Sequence, residues 1–563
     1  MLNLISKLLF FEEKKKIIFF LFLSSFASLL EALGVILLFK LIVPENKLLG
    51  NFDFSNIFFY KNSIYILITF FFFKFIYLNI YSWLRNGLVF DYSKKNSEDF
   101  LKVYLNQNLI FFTLNNTSEF IRNIYKEIEN LTYAYDVFLK FFGELIVFIF
   151  LLILLFYLNF QLTLILFVFS FILSFFFIIF FKSRLINLSI HRQENDNYLF
   201  KFLHEVFSSA REIKVFNLGQ LYFEKLKNIF FISQYTNKKS NFFQEIPKNS
   251  FDFILILFAF FLIIYTEPNF KVSQIDIKND YIILVLIASY RMLPGFLRII
   301  SFFNSLNHYF SSINILFNIY KKNKFLSSSK KISGKKFCYN RSINLQGIYF
   351  KYKFQKENLF NNLNIKILKN RKYLLTGESG CGKTTFVDIL SGLIKIKKGT
   401  IKVDNKPINS DLLKDEISYM SQNSKLFDTS ILENIVLGDL NNYDKKKLLL
   451  AIKLSESEKF INKLRNKINY VVGEEGIRLS GGQRQRILLA RCLYSGKNIM
   501  ILDEFISSID DQNSKKILAS IRNIKDKTII LILHKYKKLN FVDFLVNFKN
   551  NRVIVKKIKK KST

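Results

Sequence analysis

"TGESGCGKTTF", residues 376–386, decides how the rest of this chain is read. Gly377, Gly382, Lys383 and Thr384 fit the pattern G-x-x-x-x-G-K-[ST], between the strand-like "KYLLTG" and a helix-like run. Glycines in such a loop let backbone N–H groups curl round phosphate oxygens, with Glu378, Ser379, Gly380, Cys381 and Thr385 completing the turn. Lys383 is placed to reach terminal phosphates, and the Thr384 hydroxyl suits Mg²⁺. Alone, the pattern fits any fold with a phosphate loop.

Two later stretches narrow it. In "RLSGGQRQR", residues 478–486, Ser480, Gly481, Gly482 and Gln483 open a helix whose N-terminus suits an anion. "IMILDE", residues 499–504, is a buried apolar strand ending in Asp503, suited to Mg²⁺, and Glu504, suited to orienting a water in line with a γ-phosphate. In this order the three stretches resemble the Walker A, signature and Walker B motifs of the ABC ATPases.

The resemblance implies ATP and Mg²⁺ as cofactors, and it assigns further residues. Gln422, in "ISYMSQNSKLFDTSILENIVLG", matches the Q-loop glutamine that senses Mg²⁺ and the lytic water. "SSID", Ser507 to Asp510, matches the D-loop, His534 in "TIILILHK" the switch histidine, and Tyr352 the aromatic that stacks on adenine. "LHK" and "DEFISSID" depart from the commoner family wording and put bulkier side chains beside Glu504, yet every reacting group is kept. In this family ATP lies between the Walker A loop of one nucleotide domain and the signature loop of another. One of each per chain therefore implies a dimer, and the intact site favours two copies of the same chain.

Upstream the texture changes. Of 563 residues half are apolar, and the long uncharged runs fill the first 310 or so positions. The formal charge of +37 would ordinarily suggest nucleic acid or an anionic membrane surface. The chain is, however, rich in Lys, Phe, Ile and Asn, as an AT-rich genome encodes, so no nucleic-acid partner is expected and the scarcer Arg residues are the more informative cations. Cys338, Cys381 and Cys492 show neither paired spacing nor a neighbouring His, which indicates neither a disulfide framework nor a metal site.

A membrane span needs about 20 mostly apolar residues. Six candidates appear, at about 17–43, 63–84, 137–158, 162–182, 249–266 and 281–305, and the first is read as a retained span rather than a cleaved leader. The long connections, 85–136 and 183–248, carry most of the Lys and Arg between spans, which puts them and both termini in the cytoplasm. The expected architecture is an α-helical six-span transmembrane domain over 1–320, a linker over 321–343, and a C-terminal α/β P-loop ABC ATPase domain over 344–563. The expected location is the bacterial inner membrane, with membrane lipids around the spans and the nucleotide domain in the cytoplasm.

The last candidate span contains "YRMLPGFLRII", residues 290–300. Arg291 and Arg298 are seven residues apart, so they share a helix face about 10 Å apart along the axis. A mid-span Arg costs at least about 2.5 kcal/mol, so Arg291 requires water or a partner; Glu31 and Asp252 are candidate structural partners, and an anionic headgroup is the functional alternative. Lys248 and Lys74 add to the positive count, which a dimer doubles around one axis.

"ASYRMLPGFLRII", "NSLNHYFSSINILFNIY" and "GESGCGKTTFVDIL" together resemble the PglK-type flippases, homodimeric ABC transporters of lipid-linked oligosaccharides. That resemblance implies an ATP-driven flippase of an anionic lipid-pyrophosphate-linked glycan. It gives Arg291, Arg298, Lys248 and Lys74 the role of binding the pyrophosphate, and it places a short external helix at about 47–60. Two readings compete: export of another amphiphile, such as lipid A, a drug or a peptide, and an ATPase-gated channel or sensor without cargo.

Overall fold

The computed structural model describes residues 2–10, 14–42, 62–158, 160–266, 295–327, 339–352, 357–408, 410–438, 440–533, 539–549 and 552–558. The chain divides into two compact units, residues 1–107 with 112–330, and residues 331–563 with the short stretch 108–111.

The first unit is all helix. Its helices are α1 (Leu2–Leu9), α2 (Lys14–Ile42), α3 (Asn62–Leu105), α4 (Leu109–Leu114, whose first three residues belong to the second unit), α5 (Thr117–Arg122), α6 (Ile128–Leu158), α7 (Phe160–Ser208), α8 (Ala210–Val215), α9 (Gly219–Thr266), α10 (295–308) and α11 (Phe310–Ser327). A π-helical turn, Asn123–Glu127, joins α5 to α6. Among the described residues two segments, Lys15–Gly34 and Leu67–Leu105, are long and apolar enough to cross a membrane. The stretches 137–158, 162–182 and 249–266 lie within α6, α7 and α9, and 281–305 is described from residue 295, in α10. The segment expected as an external helix, 47–60, lies outside the described residues, as does 328–338 of the expected linker. Of that linker, 321–327 continues α11 and Tyr339 is fully buried in the core of the second unit.

The helical arms are apolar at their centre, with Tyr92, Phe100, Leu131, Tyr135, Phe138, Phe302, Leu306 and Leu316 packed together. A polar seam runs beside this core. Buried residues recur at helical spacing on α7 (Ser189, Arg192, Asp196), α9 (Ser233, Thr236, Ser240) and the α10–α11 junction (Asn304, Asn307, His308, Ser311), so each helix turns a polar stripe inward. Burial beside the Arg192 guanidinium pushes the His308 imidazole down to about 3. His308 is therefore neutral: Nε2 accepts from Arg192 and Nδ1–H donates to Ser240 Oγ. Arg122, fully buried at the end of α5, pairs with the equally buried Glu127 of the π-turn at 3.5 Å.

The second unit is α/β. Its strands are β1 (Ser342–Phe350), β2 (Phe360–Leu368), β3 (Lys372–Gly377), β4 (Lys398–Val403), β5 (Lys406–Pro407), β6 (Ile417–Met420), β7 (Ile499–Asp503), β8 (Thr528–Ile532), β9 (Phe544–Lys549) and β10 (Arg552–Lys557). Its helices are α12 (Lys383–Leu390), α13 (Ile431–Val436), α14 (Lys445–Leu454), α15 (Glu458–Lys463), α16 (Gly481–Ser495) and α17 (Asp511–Asn523). A four-stranded antiparallel sheet has the order β2-β1-β4-β5, and a six-stranded sheet the order β10-β9-β3-β8-β7-β6, parallel from β9 through β6. The central strands β7 and β8 are buried throughout, because a parallel sheet is covered on both faces. Alternate residues accordingly enter two cores: Leu374, Met500, Leu502 and Leu531 face one, and Tyr373, Leu375, Ile501 and Ile532 the other. Within this second unit Ile110, from the stretch 108–111, packs on the second core, and the Leu109 N–H donates to the Leu393 carbonyl at 3.4 Å.

Candidate functional site

Parallel strands end together, and ligands of such sheets bind beyond their carboxyl ends. In register, Leu375 lies beside Ile532, Asp503 beside Ile532, and Leu502 beside Met420, so the loops after β3, β6, β7 and β8 open at one edge. A cavity of about 320 Å³ lies there, lined by Tyr352, Leu359, Ser379, Gly380, Gly382, Lys383, Thr384, Thr385, Gln422, Asp503, Glu504 and Ile532. Residues more than 150 positions apart are thus brought into one pocket by strand order.

The loop after β3 is shaped by glycine. Gly377 has φ +151°, and a Cβ there would come within 2.6 Å of the Phe548 carbonyl oxygen and 2.7 Å of Cys381 Sγ. Gly382, the N-cap of α12 at φ +99°, would place a Cβ 2.9 Å from the Phe360 ring. Lys383 is buried and donates to the Gly377 and Glu378 carbonyls at 3.0 and 2.8 Å, tying the loop from within. Tyr352 at the cavity rim bonds Thr385 Oγ1 through its hydroxyl at 3.0 Å, and its ring stands edge-on to Phe350.

Gln422 Nε2 donates to Glu504 Oε2 at 2.9 Å, so the loop after β6 reaches the residue that follows β7. Glu504 itself is held at φ +47°, a left-handed conformation rare outside glycine. Its N–H donates to the Ile532 carbonyl and its carbonyl accepts from Ser507 N–H, so both sides of the residue are pinned. The bulky Phe505 and Ile506 that follow are buried in the core and stand clear of the cavity lining.

Asp503 is buried beside Asp388 of α12, a carboxylate that sequence reasoning passed over although it stands in "GKTTFVDIL". Burial, reinforced by the Asp503 charge, pushes the Asp388 carboxyl up to about 6, and the same two carboxylates with burial raise the Tyr419 phenol. The Asp503 carboxylate and the Thr384 hydroxyl, both lining the cavity, fit a divalent cation. The glycine cradle and buried Lys383 fit a polyphosphate.

Ser480, Gly481, Gly482 and Gln483 do not line this cavity. Ser480 caps α16: its side chain accepts from the Gln483 N–H, while Gln483 Oε1 accepts from the Ser480 N–H at 2.9 Å. The helix N-terminus is thereby presented as a preformed face. His534 lies outside the described residues, immediately after Leu533, which follows the buried β8.

Two family models match: "ABC transporter transmembrane region" over residues 16–288, and "ABC transporter" over residues 360–507. The chain belongs to the ABC transporters. A transmembrane region precedes an ATPase region in this ABC transporter, and its cofactors are ATP and Mg²⁺. It is similar to the ATP-dependent lipid A-core flippase of Coxiella burnetii, at 33% identity over 219 residues, 38% of this chain and 37% of that protein. It is also similar to the multidrug resistance protein pgp-1 of Caenorhabditis elegans, at 30% identity over 244 residues, 42% of this chain and 18% of that protein. The chain thus spans well under half the length of these curated relatives. A solved structure of a bacterial Atm1-family ABC exporter with ATP bound superposes with a TM-score of 0.77, covering 96% of this ABC transporter and 94% of that chain at 17% identity, a likeness of fold.

The four cations assigned to cargo fare differently. Arg291 lies outside the described residues, and of the Lys248 side chain nothing is described. Arg298 is half-buried on α10 and makes no hydrogen bond or ion pair with any described residue. Lys74 is paired with Glu31 at 2.7 Å and stands over the Phe71 ring. Glu31, one structural partner considered for Arg291, is therefore engaged by Lys74.

Proposed function

We propose that two copies of this chain form an ATP-driven flippase of the bacterial inner membrane, carrying a lipid-pyrophosphate-linked oligosaccharide from the inner to the outer leaflet. The observation that carries the motor part is the cavity in which Lys383, Thr384, Gln422, Asp503 and Glu504 converge while the signature residues of the same chain stay outside it. A site built this way is completed by the signature face of a second copy. Lys383 and the loop glycines hold the phosphates of ATP, Tyr352 takes the base, and Thr384, Asp503 and Gln422 hold Mg²⁺, which when bound neutralises charge on the phosphates. Glu504 orients and deprotonates the attacking water, with His534 against the γ-phosphate.

Cytosolic helix tips couple this engine to the spans. Residues 108–111 already belong to the nucleotide unit. The second tip, around α8, leaves Phe207, Val215 and Phe216 about 70% exposed, an apolar patch of the kind that docks a partner surface. Phe216→Asp is expected to lower ATP-driven transport at least about tenfold by burying a charge there, with ATP binding retained. Transport at the normal rate would exclude the tip from coupling.

The cargo rests on cations. Arg298 has no protein partner among the described residues, and an unpaired guanidinium within a span suits a phosphorylated headgroup. Similarity to a lipid A-core flippase favours a second reading, in which lipid A, itself a phosphorylated glycolipid, is the cargo. Lys74, neutralised by Glu31, then contributes less than the arginines. Proteoliposomes carrying either fluorescent lipid separate the readings. Flipping of the pyrophosphate-linked oligosaccharide should require ATP and fall at least about tenfold in Arg291→Gln/Arg298→Gln. Flipping of lipid A alone, or loss-free transport in the double variant, overturns the cargo assignment.

A further inference from the structure

The helix that carries the signature residues also grips the loop that carries the water-activating carboxylate, and one side chain does most of the gripping. Gln485 is the fifth residue of α16, at the start of its second turn and five residues beyond Ser480. Its Nε2 donates to Ser507 Oγ at 2.8 Å and to the Glu504 carbonyl at 3.3 Å, while its Oε1 accepts from the Ser508 N–H at 2.9 Å. One amide thus spans Glu504, Ser507 and Ser508. Gly482 brings the helix close enough for this: a Cβ there would lie 2.8 Å from the Ser508 carbonyl oxygen. Any displacement of the α16 N-terminus therefore pushes directly on the backbone of 504–508.

That backbone is strained. Glu504 keeps its left-handed conformation because its N–H, its carbonyl and, through Gln422, its carboxylate are each held. The carbonyl is held from two sides, by Ser507 N–H and by Gln485 Nε2. Releasing one of these bonds frees the carboxylate from the geometry in which it meets a water.

We propose that Gln485 is a positioning residue that links the two ATP sites of the dimer. This rests on the reading above, in which each ATP lies between two copies of the chain. In that arrangement Ser480–Gln483 of one copy touch the nucleotide held by the other, whereas Glu504 serves the nucleotide held by its own. Gln485 joins the two within one polypeptide. Closure of the signature face on the partner's nucleotide is passed through the Gln485 amide to the Glu504 carbonyl, so occupancy of one site sets the geometry of hydrolysis at the other. Such coupling is reciprocal between the copies.

The experiment uses the full-length dimer in proteoliposomes, with ATPase rate measured against ATP concentration and nucleotide affinity measured separately by a fluorescent ATP analogue. Wild type is expected to give a sigmoid curve. Gln485→Ala is expected to lower kcat about tenfold, with analogue affinity within about twofold. Its curve becomes hyperbolic. Ser507→Ala, which removes one acceptor at an exposed position and leaves α16 untouched, should shift both readouts the same way by a smaller amount. Gln485→Ala with lowered kcat and an unchanged sigmoid shape would make the residue a local brace and overturn the proposal, as would a variant indistinguishable from wild type. A hyperbolic wild-type curve from a dimer overturns the coupling and leaves the shared-site reading standing. Hydrolysis by an isolated monomer overturns that reading first.

Discussion

Glu504→Gln is expected to reduce ATP turnover by about 10²- to 10³-fold while leaving nucleotide binding intact. The amide is isosteric with the carboxylate, so it can still meet Gln422 Nε2, now at 2.9 Å, through its own oxygen. The backbone bonds to Ile532 and Ser507 are independent of the side chain and persist. In the proposed mechanism what is lost is the base: an amide neither accepts a proton from water nor stabilises the positive charge that develops on it. Because Lys383, the loop glycines and Asp503 are untouched, ATP is expected to bind still, and in the proposed two-copy arrangement the closed dimer should no longer be released by hydrolysis. Size-exclusion chromatography with ATP should show the variant as a long-lived dimer, alongside single-turnover rates for hydrolysis. A variant with more than about a tenth of wild-type turnover would move the base elsewhere in the cavity.

Arg122→Met is expected to be the most damaging single change in the helical unit, at about 3–5 kcal/mol. Arg122 and Glu127 are 1% and 2% exposed, and Arg122 also donates to Asn123 Oδ1 at 2.9 Å and to the Gln193 carbonyl at 3.4 Å. Removing the guanidinium leaves the Glu127 carboxylate buried with weaker compensation, which costs far more than the pair itself contributes. The double change Arg122→Met/Glu127→Leu removes both charges and should recover most of the loss. Thermal unfolding in detergent reads the order directly: the single variant lowest, with wild type and double variant close together. Equal destabilisation of the single and double variants would show that the π-turn depends on the ion pair for its geometry.

How much of this was legible before folding depends on the range of the interactions involved. The phosphate loop could be read from "GESGCGKTTF" because its chemistry is local: glycine spacing, one lysine and one hydroxyl on consecutive backbone. Glu504 and Gln422 were singled out for the same reason, from short local motifs, and the fold brings their side chains together at the cavity. Asp388 was not, because a lone acid in an amphipathic helix looks solvated until strand order buries it beside Asp503. Gln485 stood inside a quoted motif and went unread, since nothing in "GGQRQR" says which glutamine turns toward Ser507. The polar seam of Arg192, His308 and Asn304 was hidden too: the sequence "NSLNHYF" shows polar residues but not which neighbours enclose them.

Sequence by itself determined the order of the parts, the identity of the nucleotide chemistry and the apolar lengths that suit a bilayer, because each depends on residues close together along the chain. Only the tertiary structure decided that Lys74 is neutralised by Glu31, that the signature face lies outside its own chain's cavity, and that one glutamine ties that face to Glu504. Those outcomes depend on which distant segments the parallel sheet and the packed helices bring within a few ångströms. Spacing along a chain carries no record of that.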